Sequence, residues 1–170
     1  MLANSSPAPA DELFIERLRA SGAVLIGKTN TSEFRLAAHT TNRLGNPCAN
    51  PWNPTRTAGG SSGGAAAACA AGLGPLHHGS DGGGSVRIPA AYCGVVGLKP
   101  TGRRVARRVR GAGMSQFEVD GALARTVQDA ALLVSVMSGM DDRDPAPYSG
   151  DTPDLQRWVV AGALRDVSLS

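Results

Sequence analysis

Two glycine clusters constrain this chain more than any other feature: GGSSGG at residues 59–64 and DGGGS at residues 81–85. Glycine loses more conformational freedom on folding than any other residue. Runs of it are tolerated where the backbone must adopt dihedrals closed to other residues or approach another backbone closely. The first cluster runs into an alanine stretch interrupted by Cys69 and closed by Gly72, which predicts a loop feeding a helix. The second stands directly before Ser85, where several N–H groups could point at one bound oxygen without side chains in the way. That is how an oxyanion hole beside a nucleophile can be built. The same residues also suit a glycine-rich turn whose serine caps a helix. Neither cluster has the G-x-x-x-x-G-K-[ST] spacing, or a strand-led G-x-G-x-x-G, that phosphate cradles use.

The flanking segments predict an α/β layout. DELFIERLRASG has acidic residues in its first turn, arginines in its last and Gly22 as a stop, which fits a helix and its macrodipole. AVLIG, residues 23–27, is a short continuous apolar run and reads as a buried strand. In NTSEFRLAA, Asn30 followed by Glu33 predicts a helix start. Residues 44–54 read as a long loop, and CGVVGLKP as a second buried strand closed by proline. TVQDAALLVSVMSG has Thr126 and Asp129 in capping-box spacing, an apolar body and Gly139 as a C-cap, so it predicts a helix. Beyond Asp141 the composition becomes that of a linker.

A length of 170 residues with 42% apolar side chains fits one globular domain. Seventeen basic against 14 acidic residues leave a net charge of only +3, which does not call for a polyanionic partner. The local cluster RRVARRVR, with Arg103, Arg104, Arg107, Arg108 and Arg110, has no interleaved aromatics to stack bases. It reads as a solvated or partner-facing loop rather than a nucleic-acid surface. Cys48, Cys69 and Cys93 are odd in number and without a C-x-x-C pair, which suggests reduced thiols in the cytoplasm and no structural zinc. No run approaches the roughly 18 apolar residues of a membrane span, and Asp11, Glu12 and Glu16 stand where a signal peptide would be basic and then apolar.

A serine nucleophile needs a base. The histidines are His39, His77 and His78. His78 and Asp81 are too close in sequence to imply a Ser-His-Asp triad, and on a strand they would point to opposite faces.

Taken together, GAVLIGKTNTSEF, NPWNPTRTAGGSSGGAAAACAAG, GSDGGGSVRIPAAYCGVVGLKPT and LARTVQDAALL stand in an order and spacing that resembles the amidase signature family of serine hydrolases. The resemblance covers about residues 1–145, a partial amidase domain followed by a linker-like tail at 146–170. It implies an α/β/α fold with a mixed central sheet, truncated here at both ends. It also implies hydrolysis of the carbon–nitrogen bond of a small-molecule amide through an acyl-serine, with no cofactor and no metal. Ser85 would be the nucleophile and Ser61, preceded by a cis peptide, the bridging serine. The N–H groups of Gly82, Gly83, Gly84 and Ser85 would form the oxyanion hole. Asp81 and Arg87 resemble a structural ion pair, and Ser62 with Gly63 would open the alanine-rich helix.

The third member of the family's triad is a lysine, and this sequence contains only Lys28 and Lys99. The GKTN and GLKP segments that hold them have family counterparts which are not the base; the catalytic lysine of the family lies upstream, in a strand ending V-K-D. The resemblance therefore implies a fragment, well under half of a full-length enzyme and inactive or nearly so alone. The alternative is a non-catalytic remnant, or a subunit that needs a lysine-bearing partner. Self-association or a complementing chain would cover the surfaces left exposed. Ala58 and Ala122 replace prolines usual in the family, and Arg35 stands where glycine is common, positions read as loop-stiffening. Ile88 replaces the glutamine typical of the family's glutamyl-tRNA amidotransferase branch, which brings the sequence nearer to stand-alone amidases.

Overall fold

The computed structural model describes residues 7–109, 117–148, 150, 154, 155, 157 and 159. At its centre is β5 (Val119–Ala124), flanked by β3 (Leu76–Asp81) and β4 (Val96–Leu98), both antiparallel to it. Every residue of β5 is buried, because helices cover both faces of the sheet. Ala122 and Ala124 face a core with Phe14, Leu18, Leu133, Val134 and Met137, from α1 (Leu13–Ala20) and α4 (Val127–Met137). Leu123 faces the other way, into a core with Ala65, Ala66, Val86 and Ala90, around α2 (Gly63–Ala70) and α3 (Arg87–Cys93). The period-2 alternation of a strand thus places the sheet between two helical layers. The expected α/β/α arrangement is what the described residues form.

Several elements follow from their local chemistry. The Thr126 hydroxyl accepts a hydrogen bond from the Asp129 N–H at 3.1 Å, the capping interaction that its spacing predicts. α3 ends at Gly94 with φ of 67°, a left-handed stop. Arg17 does more than complement the dipole of α1. Its guanidinium donates to the carbonyls of Met137, Gly139 and Met140 at 2.8–3.2 Å and caps the end of α4. Leu155 packs against the same core. Among the described residues no helix is long and apolar enough to cross a membrane.

The structure corrects several expectations. Residues 23–27 form no strand, and Val24 and Ile26 are 83% and 81% exposed. An apolar run is buried only where another element covers it, and none among the described residues does. The helix expected from Asn30 is only a 3₁₀ turn, Glu33–Arg35. Asn30 is instead a tertiary link: its side-chain oxygen accepts from Asn42 and its carbonyl accepts from the Gly64 N–H at 3.0 Å. Within the expected loop at 44–54 a hairpin begins, β1 (Ala49–Asn50) and β2 (Asn53–Thr57). Its Asn50 and Trp52 side chains donate to the carbonyls of Tyr92 and Cys93, both at 2.7 Å. Ala122 is no loop residue, since it lies fully buried inside β5.

Two arginines of the basic cluster are paired with acidic residues of the same chain. Arg107 pairs with Asp120 at 2.5 Å and Glu118 at 3.0 Å, and Arg108 pairs with Glu16. Arg104 lies 5.0 Å over the Tyr148 ring, while Arg110 falls outside the described residues. Asp120 is held at a pKa of about 2: burial raises it, and the hydrogen bonds and charges of His78 and Arg107 outweigh that. All three cysteines are free, and Cys93 is pushed up to about 11, mainly by burial.

Candidate active site

The turn from Asp81 to Arg87 is organised by one carboxylate. Asp81 is fully buried at the end of β3. Its Oδ1 accepts from the Gly84 N–H at 2.8 Å and from Arg87 Nη2 at 2.9 Å. Its Oδ2 accepts from the N–H groups of Val86 and Arg87 at 3.0 and 3.2 Å, and from Arg87 Nε at 3.0 Å. Burial raises the pKa of this carboxyl, but the hydrogen bonds from Arg87 and the three backbone N–H groups prevail and bring it to about 2. Gly84 adopts φ of 123°, open only to glycine at low cost, so the chain can reverse there and present Ser85 half-buried at the start of α3. With the Gly84 N–H taken by Asp81, those of Gly82, Gly83 and Ser85 have no partner among the described residues.

The other cluster is held equally tightly. The peptide between Gly60 and Ser61 is cis, and Ser61 is 1% exposed. A Cβ on Gly60 would lie 2.7 Å from the backbone N, C and O of His39, so only glycine fits. The Ser61 carbonyl accepts from the Ser32 N–H at 3.2 Å and the Thr40 hydroxyl at 3.3 Å. Thr40 also donates to the Gly59 carbonyl at 2.8 Å and accepts from the Gly63 N–H at 3.1 Å, so one buried hydroxyl spans the turn. Sequence reasoning missed Thr40. Ser62 opens α2 and joins the clusters: its N–H donates to the Ser85 carbonyl at 3.1 Å and its hydroxyl to the Ser80 carbonyl at 3.3 Å.

Ser61, Ser85, Gly82 and Gly83 line one cavity of 390 Å³, walled by residues 34–38 and by Gly60, Ser80, Ile88 and Glu118. Gly84, Asp81, Arg87 and Ser62 do not line it and instead hold the two turns together. Lys28, Lys99 and the three histidines also lie outside its lining. His78 and Asp81 are on opposite faces of β3: His78 pairs with Asp120 at 2.7 Å and stacks on Phe14, while Asp81 faces Arg87. Among the described residues no three His, Cys, Asp or Glu side chains are grouped to hold a metal ion.

A family model described as Amidase matches residues 1–161. The chain belongs to the amidase family. An acylamidase of Rhodococcus erythropolis is 49% identical over 138 residues, 81% of this chain and 29% of that protein. A glutamyl-tRNA(Gln) amidotransferase subunit of Nitrosococcus oceani is 48% identical over 147 residues, 86% of this chain and 30% of that protein. Relatives of both kinds are thus similar to this chain to almost the same degree. Among solved structures, 6-aminohexanoate cyclic dimer hydrolase complexed with substrate superposes with a TM-score of 0.83 at 41% identity, covering 89% of this chain and 32% of that one. The chain therefore spans about a third of the length of the relatives it matches.

Proposed function

We propose that this chain carries the nucleophile and the oxyanion-binding turn of an amidase that cleaves carbon–nitrogen amide bonds through an acyl-serine intermediate. The observation that supports this most is the meeting of Ser85, Ser61, Gly82 and Gly83 in one open cavity. Ser85 Oγ attacks the amide carbonyl carbon while its proton passes to Ser61 and onward to a base. The N–H groups of Gly82, Gly83 and Ser85 stabilise the oxyanion, and Asp81 holds the turn by occupying the Gly84 N–H. The tetrahedral intermediate collapses, the amine or ammonia leaves with a proton, and water then cleaves the acyl ester to release the acid and restore Ser85. The acylamidase and cyclic dimer hydrolase among its relatives support a small-molecule amide as substrate.

Neither lysine of the chain lines the cavity. In this reading the base that takes the Ser61 proton comes from other polypeptide, covalently continuous or complementing, and without it turnover is about 10²- to 10⁴-fold slower. The test is intact-mass spectrometry of this chain together with the polypeptide that supplies the base, after incubation with a fluorophosphonate probe, which labels activated serines without needing turnover. One adduct on Ser85 is expected, absent in Ser85→Ala and formed at least about tenfold more slowly in Ser61→Ala. Modification of a different residue, or no adduct on a chain shown to be folded by circular dichroism, would overturn the assignment.

A further inference from the structure

We propose, resting on the amidase reading above, that Arg35 is a specificity residue that recognises a carboxylate carried by the same molecule as the scissile amide. Arg35 and Glu118 are the two charged residues that line the cavity holding Ser61 and Ser85. Both oxygens of Glu118 are already paired with arginines. Its Oε1 is taken by Arg35 Nη1 at 2.6 Å and its Oε2 by Arg107 Nη1 at 3.0 Å, and its side chain is only 15% exposed. Arg35, by contrast, is 54% exposed, and among the described residues its other N–H donors are without partners. The charge that this rim offers to a ligand is therefore positive. A guanidinium fixed at one edge by Glu118 still presents donors in a plane, the geometry that suits a carboxylate.

The backbone fixes where this side chain starts. Phe34 and Arg35 have φ of 52° and 62°, left-handed values that cost a non-glycine residue roughly 1 kcal/mol or more each. The turn is tied to the site itself, since the Arg35 N–H donates to the Ser32 carbonyl at 3.0 Å and the Ser32 N–H donates to the Ser61 carbonyl at 3.2 Å. Arg35 is thus held on the same hydrogen-bonded path as the bridging serine. Phe34, Leu36 and Ile88 supply apolar wall in the same cavity as the charge and the serines, which suits a methylene spacer. The substrate class that results is an aliphatic amide with a carboxylate at its far end.

The experiment is titration calorimetry of the chain with succinamate, glutaramate and adipamate, each against its neutral diamide. At least one carboxylate should bind about fivefold more tightly than its diamide, the effect of one partly exposed ion pair. The ratio should fall to one in Arg35→Gly, persist in part in Arg35→Lys, and shrink at high salt. Glycine suits the φ of 62° better than arginine, so loss of the ratio in Arg35→Gly cannot be ascribed to unfolding, and a thermal melt verifies this. A ratio of one for all three pairs, a ratio that survives Arg35→Gly, or no binding of any probe overturns the proposal. Fluorophosphonate labelling of Ser85 is read separately. Carboxylate preference without labelling counts against the amidase reading alone, and labelling without preference counts against Arg35 alone.

Discussion

The N–H of Ser62 donates to the carbonyl of Ser85 at 3.1 Å, so the turn bearing one site serine is bonded directly to the turn bearing the other. Ser62 adds a second link from its hydroxyl to the Ser80 carbonyl. Two loops, each weak in side-chain packing because it is mostly glycine, become one unit through backbone hydrogen bonds. Changes to either loop should therefore be felt in both, and the residues that hold each loop are where the fold and the chemistry meet.

Asp81 is the first such residue. Its folded pKa of about 2 lies below the ordinary 3.8, so the stabilisation it contributes is fully present above about pH 4 and is lost as the pH falls toward 2. Asp81→Asn leaves Arg87 and three N–H groups with a poorer acceptor and should cost about 3 kcal/mol at pH 7. Urea unfolding at pH 7 and pH 3 checks both effects. The wild type should lose more stability between those values than Asp81→Asn does; equal losses would place the acid sensitivity elsewhere.

Glycines within the two clusters should differ sharply in tolerance. A Cβ at Gly60 meets His39 backbone at 2.7 Å, whereas at Gly83 nothing lies within 4 Å. Gly60→Ala should destabilise by about 3 kcal/mol, because backbone rather than a flexible side chain must move. Gly83→Ala should stay within about 0.5 kcal/mol, as an exposed substitution without a clash does. Thermal melts of the two variants side by side decide this, and a Gly60→Ala protein with unchanged midpoint would contradict the packing described for the turn.

How much of this was legible in the sequence depends on whether the signal is local. The glycine clusters were readable because a close backbone approach, as at Gly60, or a positive φ, as at Gly84, leaves glycine in the sequence, while Ser61 and Ser85 were singled out beside them by the family resemblance. Thr126 and Asp129 were readable because a cap needs only its own first turn. β5 was not, since Asp120 and Gly121 look like turn residues until Arg107 is found paired with the buried carboxylate and His78 hydrogen-bonded to it. The apolar run at 23–27 showed that something must cover it, and periodicity says nothing of what does. Arg35 and Glu118 lie 83 residues apart, a separation at which an ion pair leaves no local trace. Sequence reasoning marked Arg35 as unusual for glycine's place, and the φ of 62° supplies the reason that glycine suits it.

Thr40 illustrates the hardest class, a buried side chain whose role is to hold other backbones. Its hydroxyl donates toward the Gly59 and Ser61 carbonyls at 2.8 and 3.3 Å and accepts from the Gly63 N–H at 3.1 Å. At 1% exposure, water cannot replace these bonds. Thr40→Val keeps the shape and removes the hydroxyl, leaving buried backbone groups unpaired at a cost of about 2 kcal/mol. Thr40→Ser keeps the hydroxyl and loses one methyl, so its cost should be closer to 1 kcal/mol, roughly that of one buried methylene. Chemical denaturation should rank the variants in that order, and fluorophosphonate labelling of Ser85 should slow in Thr40→Val but not in Thr40→Ser. If both variants lose stability and labelling equally, the methyl contact rather than the hydroxyl organises the Ser61 turn.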